Sequence, residues 1–184
     1  MAGWKDKLGV MRRYDLTADM YDERYGEEQG AKYRAALENV KLRAGVVLDV
    51  GCGSGLFFGY VAPFVDSVVG VDISRKLLVK ANVEAKRFCN VFVLQADADH
   101  LPFSDGFFEA VFAFTMLQNM PAPRETLLEI GRATGADGLV VVTGLKKVFP
   151  LNRFLEILGC PAFRGLSIVD SEDLKCYIAV FSKS

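Results

Sequence analysis

Five short runs rich in β-branched residues recur along the middle of the chain: V-V-L-D-V (46–50), S-V-V-G-V-D (67–72), V-F-V-L-Q (91–95), A-V-F-A-F-T (110–115) and G-L-V-V-V-T-G-L (138–145). Amphipathic stretches over residues 55–64, 75–88 and 123–134 separate them, each of ordinary helix length, about 10–14 residues. Strand and helix patterns in alternation predict a parallel sheet with helices on both faces. The runs lack polar alternation, as strands covered on both faces do. Such a sheet is built with right-handed crossovers and binds ligands beyond the carboxyl ends of its strands. Functional residues are therefore expected just after each run.

The flanks read differently. Residues 1–45, rich in Tyr, Asp and Glu, predict two helices near 16–25 and 29–40, ahead of a turn at Ala44-Gly45. They precede the sheet and can fold over its ligand edge. The last forty residues predict a helix over 151–158, a loop marked by Gly159 and Pro161, and a closing strand over 175–182. With no long crossover before it, that strand is expected to be antiparallel. With 184 residues and no repeat or linker, a single domain is expected. It divides into a helical lid (1–45), a binding core (46–145) and a closing helix and strands (146–184).

Composition excludes several classes. Half the residues are hydrophobic (51%) and a quarter charged (24%), the balance of a folded globular chain. No apolar run reaches spanning length and M-A-G-W-K-D-K has no leader-like segment, so neither a membrane span nor secretion is expected and the location predicted is cytoplasmic. The formal charge of −1, from 22 basic and 23 acidic residues, gives no global field toward nucleic acid or anionic lipid. Cys52, Cys89, Cys160 and Cys176 form no C-x-x-C pair, and His100 is near none of them. No metal site or disulfide framework is predicted; the cysteines read as small side chains in a reducing cytosol.

The first run leads into G-C-G-S-G, residues 51–55. A strand turning sharply into a helix needs residues that tolerate positive φ, and a ligand lying against backbone needs missing Cβ atoms. Gly51, Gly53 and Gly55 supply both. A dinucleotide fingerprint wants a third small residue five positions after the first, where this chain has Leu56. Asp49 puts a carboxylate at the end of a buried strand, which suits an ammonium partner. Asp72, at the end of the second run, can accept both hydroxyls of a ribose, and Ile73 can wall a base. Asp97 ends the third run, placed to accept from an exocyclic amine, and L-P-F after it should anchor the loop in the core.

Three ordered segments, V-L-D-V-G-C-G-S-G, V-V-G-V-D-I-S and Q-A-D-A-D-H-L-P-F-S-D-G-F-F-E-A-V-F, resemble the class I S-adenosylmethionine-dependent methyltransferases, particularly the branch of the ubiquinone/menaquinone C-methyltransferases. The resemblance covers roughly residues 14–145 and extends to Y-D-L-T-A-D-M-Y-D ahead of the sheet. It implies a Rossmann-like, doubly wound, mostly parallel seven-stranded α/β sheet with an antiparallel last strand. It implies S-adenosylmethionine as cofactor and S-adenosylhomocysteine as product. By position it implies Asp49, Gly51 and Gly53 at the methionine part, Asp72 at the ribose, Ile73 on adenine, and Asp97 with the Ala98 amide on the adenine edge. Tyr21 matches an aromatic that approaches the methionine end, where a ring face favours a sulfonium; Tyr14, Tyr21 and Tyr25 packing a helix on the sheet is the other reading.

The acceptor side departs from that family. After the fourth run, F-T-M-L-Q-N-M-P contains no N/D-P-P-Y/F tetrapeptide of the kind that grips a planar nitrogen. Gln118 and Asn119 stand where the branch often has histidine, and neutral amides are no general bases. No catalytic residue is assigned; methyl transfer from a sulfonium can rest on alignment and desolvation. His100 reads as an exposed loop residue. Tyr25, Glu27 and Glu28 lie where a lid could bring them over the acceptor, and Lys146 and Lys147, with Arg153 and Arg164 beyond them, make a candidate basic rim. Tyr25, Thr115, Gln118 and Lys146 are the candidate acceptor contacts. A small-molecule acceptor is expected; a tRNA or protein acceptor recognised with a partner subunit, and a non-catalytic S-adenosylmethionine-binding module, are the rivals.

Overall fold

The computed structural model describes residues 2–184, with side chains from residue 3; the first residue of the predicted lid lies outside that range. Each apolar run forms a strand: β1 Val46–Val50, β2 Ser67–Asp72, β3 Val91–Gln95, β4 Phe108–Ala113 and β5 Thr134–Leu145. Two more strands, β6 Phe163–Val169 and β7 Cys176–Lys183, complete a seven-stranded sheet in the order β3-β2-β1-β4-β5-β7-β6. The first five are parallel neighbours, and β7 runs antiparallel to both β5 and β6. The sheet is thus the doubly wound, Rossmann-like one expected, antiparallel closing strand included.

Among the described residues six α-helices surround it: α1 Ala2–Thr17, α2 Tyr21–Glu38, α3 Phe58–Val61, α4 Arg75–Ala85, α5 Pro123–Ala133 and α6 Leu151–Leu158. Side chains of a strand alternate between faces, so Leu48 and Val50 join the core beneath α5 and α6, with Leu127, Ile130, Phe154 and Ile157. Val47, with Phe112 and Val141, joins the core beneath α2, α3 and α4, with Tyr33, Phe58 and Ala81. Asp49 therefore points to the α2 side. Leu101 is buried as the L-P-F anchor requires.

Three local expectations need correction, and one expected strand had no assigned place. The lid helices lie elsewhere: α1 occupies residues 2–17, a short 3-10 turn follows at Ala18–Met20, and α2 runs unbroken through Gly26 and Gly30. Packing offsets the cost of glycine there, because Gly30 faces Tyr60, whose hydroxyl would lie 2.8 Å from an added Cβ. Helix α3 is one turn long rather than ten residues, because Gly55 has φ +87° and Pro63 sits in the 3-10 turn that ends it. Strand β3 is an edge strand, not covered on both faces, and Phe92 and Leu94 are exposed. The seventh strand that the resemblance implied is β6, whose place was not readable: it is a mostly exposed edge interrupted by an irregularity between Arg164 and Ser167. No described helix is long and apolar enough to cross a membrane.

Candidate functional site

Strand β1 pairs with β2 on one side and β4 on the other, so chain direction diverges at its carboxyl end and leaves a crevice there. The loop after β1 enters that crevice. Gly51, Gly53 and Gly55 all take positive φ (+74°, +58° and +87°), and the amides of Gly51 and Cys52 donate to the Val71 carbonyl at 2.8 and 3.0 Å. Gly53 lies under the Tyr21 ring, whose Cε1 would be 3.4 Å from an added Cβ. The loop is a backbone shelf facing an aromatic lid.

Tyr21, Gly51, Gly53, Asp72, Ile73, Asp97 and Ala98 line one cleft over this shelf. The eighth predicted contact, Asp49, lies behind the lining and is 2% exposed. Its Oδ2 has no hydrogen-bond partner, and burial, with Asp72 nearby, raises its pKa to about 8. Asp72 receives the Gly53 amide on Oδ2 (2.9 Å) and the Ser74 amide on Oδ1 (2.8 Å). Burial raises its pKa against those two donors. A carboxylate has about four acceptor positions, so Asp72 can take further hydroxyl donors. The Tyr21 phenol is held above its ordinary range by burial and by Tyr14 and Asp72, so it is a neutral ring.

Helices α1 and α2 are fastened over the cleft by polar contacts the sequence did not reveal. Lys7 Nζ lies 2.7 Å from both oxygens of Asp97 and also pairs with Asp99. Burial opposes the Lys7 charge, and the two aspartates outweigh it, raising the pKa. Asp15 accepts from Ser74 Oγ (2.6 Å) and the Lys76 amide (3.1 Å), Asp22 accepts from Ser54 Oγ, and Lys80 donates to the Asp19 carbonyl at 3.2 Å.

Tyr25, Thr115, Gln118 and Lys146 line a second, broader cleft beside the first. Tyr14, Tyr21, Thr115 and Asn119 border both. The three tyrosines form one wall, with ring centroids 6.1 Å apart for Tyr14–Tyr21 and 5.2 Å for Tyr21–Tyr25. Thr115 has φ +55°, rare for a β-branched residue, and its amide donates to Thr143 Oγ1 at 2.7 Å. Lys32, 1% exposed, donates to Thr115 Oγ1 at 2.9 Å and pairs with Glu28 at 3.1 Å. Sequence reasoning passed over Lys32, although Gln29, Lys32, Tyr33 and Ala36 repeat at helical spacing and all are buried; that period marks it as inward-facing. Lys7 had no such signal. His100 is exposed and lies in the Asp97 loop. Among the described residues no group of three or more His, Cys, Asp or Glu is placed to hold a metal.

The fold and the glycine crevice define a class I, Rossmann-like domain for a nucleoside-bearing ligand. A family model described as a methyltransferase domain matches residues 48–142, and the chain belongs to this family, the S-adenosylmethionine-dependent methyltransferases. The phosphatidylethanolamine N-methyltransferase of Cereibacter sphaeroides is 33% identical over 136 residues, covering 72% of this chain and 66% of that one. The demethylmenaquinone methyltransferase of Tropheryma whipplei is 36% identical over 110 residues, covering 59% and 46%. The cyclase SpnF has the same fold at 18% identity, with a TM-score of 0.84 over 95% of this chain and 94% of that one. The chain spans about half the length of the curated relatives it matches.

Proposed function

We propose that the chain transfers a methyl group from S-adenosylmethionine to a small-molecule acceptor in the cytoplasm, with α1 and α2 closing the site. The carrying observation is the junction of the two clefts. Tyr14, Tyr21, Thr115 and Asn119 border both, so a donor lying on the glycine shelf and an acceptor in the broader cleft would meet there.

The residues fit the cofactor. The shelf has no Cβ atoms at Gly51 and Gly53, and buried Asp49 keeps an unpartnered oxygen beneath it, an acceptor for the ammonium of a methionine moiety, whose charge would favour the ionised form of Asp49. Asp72 is placed for ribose hydroxyls, Ile73 for the adenine face, and Asp97 with the Ala98 amide for the adenine edge. The cofactor supplies a methyl group already activated on a sulfonium. The Tyr21 ring over Gly53 offers that positive charge a π face, worth roughly 0.5–2 kcal/mol.

The chain's own work is alignment and exclusion of water. The acceptor side of the junction offers Thr115, Gln118 and Asn119, whose neutral groups remove no proton near pH 7. An in-line displacement needs the two partners held in line and dry, and helices α1 and α2 border the junction with Tyr14 and Tyr21. The acceptor must arrive with its lone pair available.

Calorimetric titration with S-adenosylmethionine and S-adenosylhomocysteine, with NAD as control, tests the cofactor site; formation of S-adenosylhomocysteine in small-molecule extracts tests the transfer. Binding of the two adenosyl ligands without NAD, and turnover with deproteinised extract, are expected. Binding without turnover in that extract, but with turnover on tRNA or protein, would assign the acceptor to a macromolecule.

A further inference from the structure

The broader cleft is basic in a chain that is not. Arg13, Arg24, Lys32, Lys146, Lys147 and Lys175 line it against one carboxylate, Glu28, whereas the whole chain carries a formal charge of −1. Glu28 is shared between Lys32 at 3.1 Å and Lys175 at 2.8 Å. Lys146 is drawn to Asp170 and the Ser171 carbonyl, both at 2.7 Å. Arg13, Arg24 and Lys147 take part in no ion pair among the described residues; Arg13 and Arg24 lie over the Tyr14 and Tyr25 rings at 5.3 and 5.4 Å from the centroids. A concave surface of one sign concentrates field in its interior.

Depth distinguishes this from a solvated rim. Lys32 is 1% exposed, on the floor of the cleft, and its ammonium reaches Thr115 at the junction. A buried charge is costly unless compensated, and its carboxylate partner is divided with Lys175. Two further groups are unsatisfied: Gln29 Oε1 and Gln118 Oε1 are buried without a hydrogen-bond partner, and both residues line the cleft. Amide oxygens only accept, so they call for N–H or O–H donors. The cleft therefore offers excess positive charge, two open acceptors and a tyrosine wall.

We propose that this cleft binds a small organic anion, a carboxylate or phosphate that also carries a hydroxyl or N–H group, and that Lys32 sets the preference for its charge. The proposal rests on the methyltransferase reading and names the acceptor class for that site. A cavity of about 920 Å³ lies at the upper end of the small-molecule range of roughly 300–1,000 Å³. A polymer's phosphates would be met on the rim, out of reach of the Lys32 floor.

The test is a ligand-observed NMR screen of the full chain with S-adenosylhomocysteine present. The probes are matched pairs: hydroxy- and amino-substituted carboxylates against their neutral methyl esters, phosphate monoesters against neutral triesters, and a deoxythymidine oligonucleotide. Acids are expected to bind at least ~10-fold more tightly than their neutral counterparts, the equivalent of about 1.4 kcal/mol, and the two acid arms decide between carboxylate and phosphate. Lys32→Met should abolish that preference and Lys32→Arg restore it. Exposed Arg24→Gln and Lys147→Gln, which do not disturb the core, should each weaken the anions several-fold and leave S-adenosylhomocysteine affinity unchanged. Equal binding of acids and esters, no binding by any acid, or preference for the oligonucleotide overturns the proposal. Failure of S-adenosylhomocysteine to bind in the first place overturns the methyltransferase reading instead.

Discussion

Lys7 and Asp97, ninety positions apart in sequence, meet at 2.7 Å, with the lysine on both carboxylate oxygens. Their side chains are 9% and 15% exposed, so this is a shielded contact rather than a solvated surface pair. It joins the first helix of the chain to the strand end expected to read adenine, making lid position and base recognition one local problem.

Replacing Lys7 by methionine leaves Asp97 and Asp99 facing each other without their cation. Breaking a fully buried pair costs about 3–5 kcal/mol, and this partly solvated one should cost less, about 1–3 kcal/mol, felt at the docked helix. Amide exchange over residues 2–17 is expected to rise well above that of the sheet. Unchanged protection in α1 would show that its apolar contacts alone hold it down.

The raised pKa of Asp49 makes stability pH-dependent. The unfolded carboxyl ionises near its ordinary 3.8, whereas the folded one, desolvated by burial, holds its proton to about 8. Between those values the folded chain binds the extra proton, so stability falls as pH rises through the window and levels off above it. Asp49→Asn should flatten that slope, gaining on the order of a few kcal/mol relative to the parent between pH 5 and pH 8. Denaturant melts at the two pH values, without ligand, measure it; parallel slopes would place the titration elsewhere.

Asp72 connects the glycine loop, through the Gly53 amide, to the start of α4, through the Ser74 amide. Asp72→Ala removes an acceptor from both donors and from the ribose position, and is expected to weaken S-adenosylmethionine by about 1–3 kcal/mol, the range for stranding polar groups. Calorimetry checks this on protein shown to be folded. Full affinity in a folded variant would exclude this strand end from the ribose site.

Gly53 has φ +58° and the Tyr21 ring over it. Valine there combines a disfavoured backbone region with a branched side chain pressed toward the ring, and strain of that kind costs about 1–3 kcal/mol. Gly53→Val should lower the melting temperature moderately and remove adenosyl-ligand binding almost entirely. Retained binding would show that the ligand does not lie along this shelf.

The legible part of the molecule was the part governed by local pattern. Runs 46–50, 67–72 and 91–95 coincide with β1, β2 and β3, and residues 151–158 with α6, because β-branched runs and a 3.6-residue apolar period carry their own signal. Seven of the eight predicted cofactor contacts line one cleft, because strand ends were placed by topology. What was not legible depends on partners distant in sequence. Lys7 finds Asp97, and Gly30 tolerates a helix interior because Tyr60 covers it. Strand β6 lacks pattern because neither face is well buried. Lys32 was readable in principle, since its helical spacing coincided with buried neighbours, but a lysine on an inward face runs against ordinary expectation.

The seam between β1 and β4 has a consequence for how the chain acquires its function as it folds. Val47 lies beside Ala110 and Leu48 beside Val111, so the crevice is walled by two stretches of sheet that each form largely from nearer segments. Joining distant strands closes a long loop and tends to come late. The cleft is lined from both stretches, by Gly51, Asp72 and Ile73 on one and by Thr115 and Met116 on the other, so during refolding the appearance of full ligand affinity would be a clock for seam closure, slower than the appearance of secondary structure.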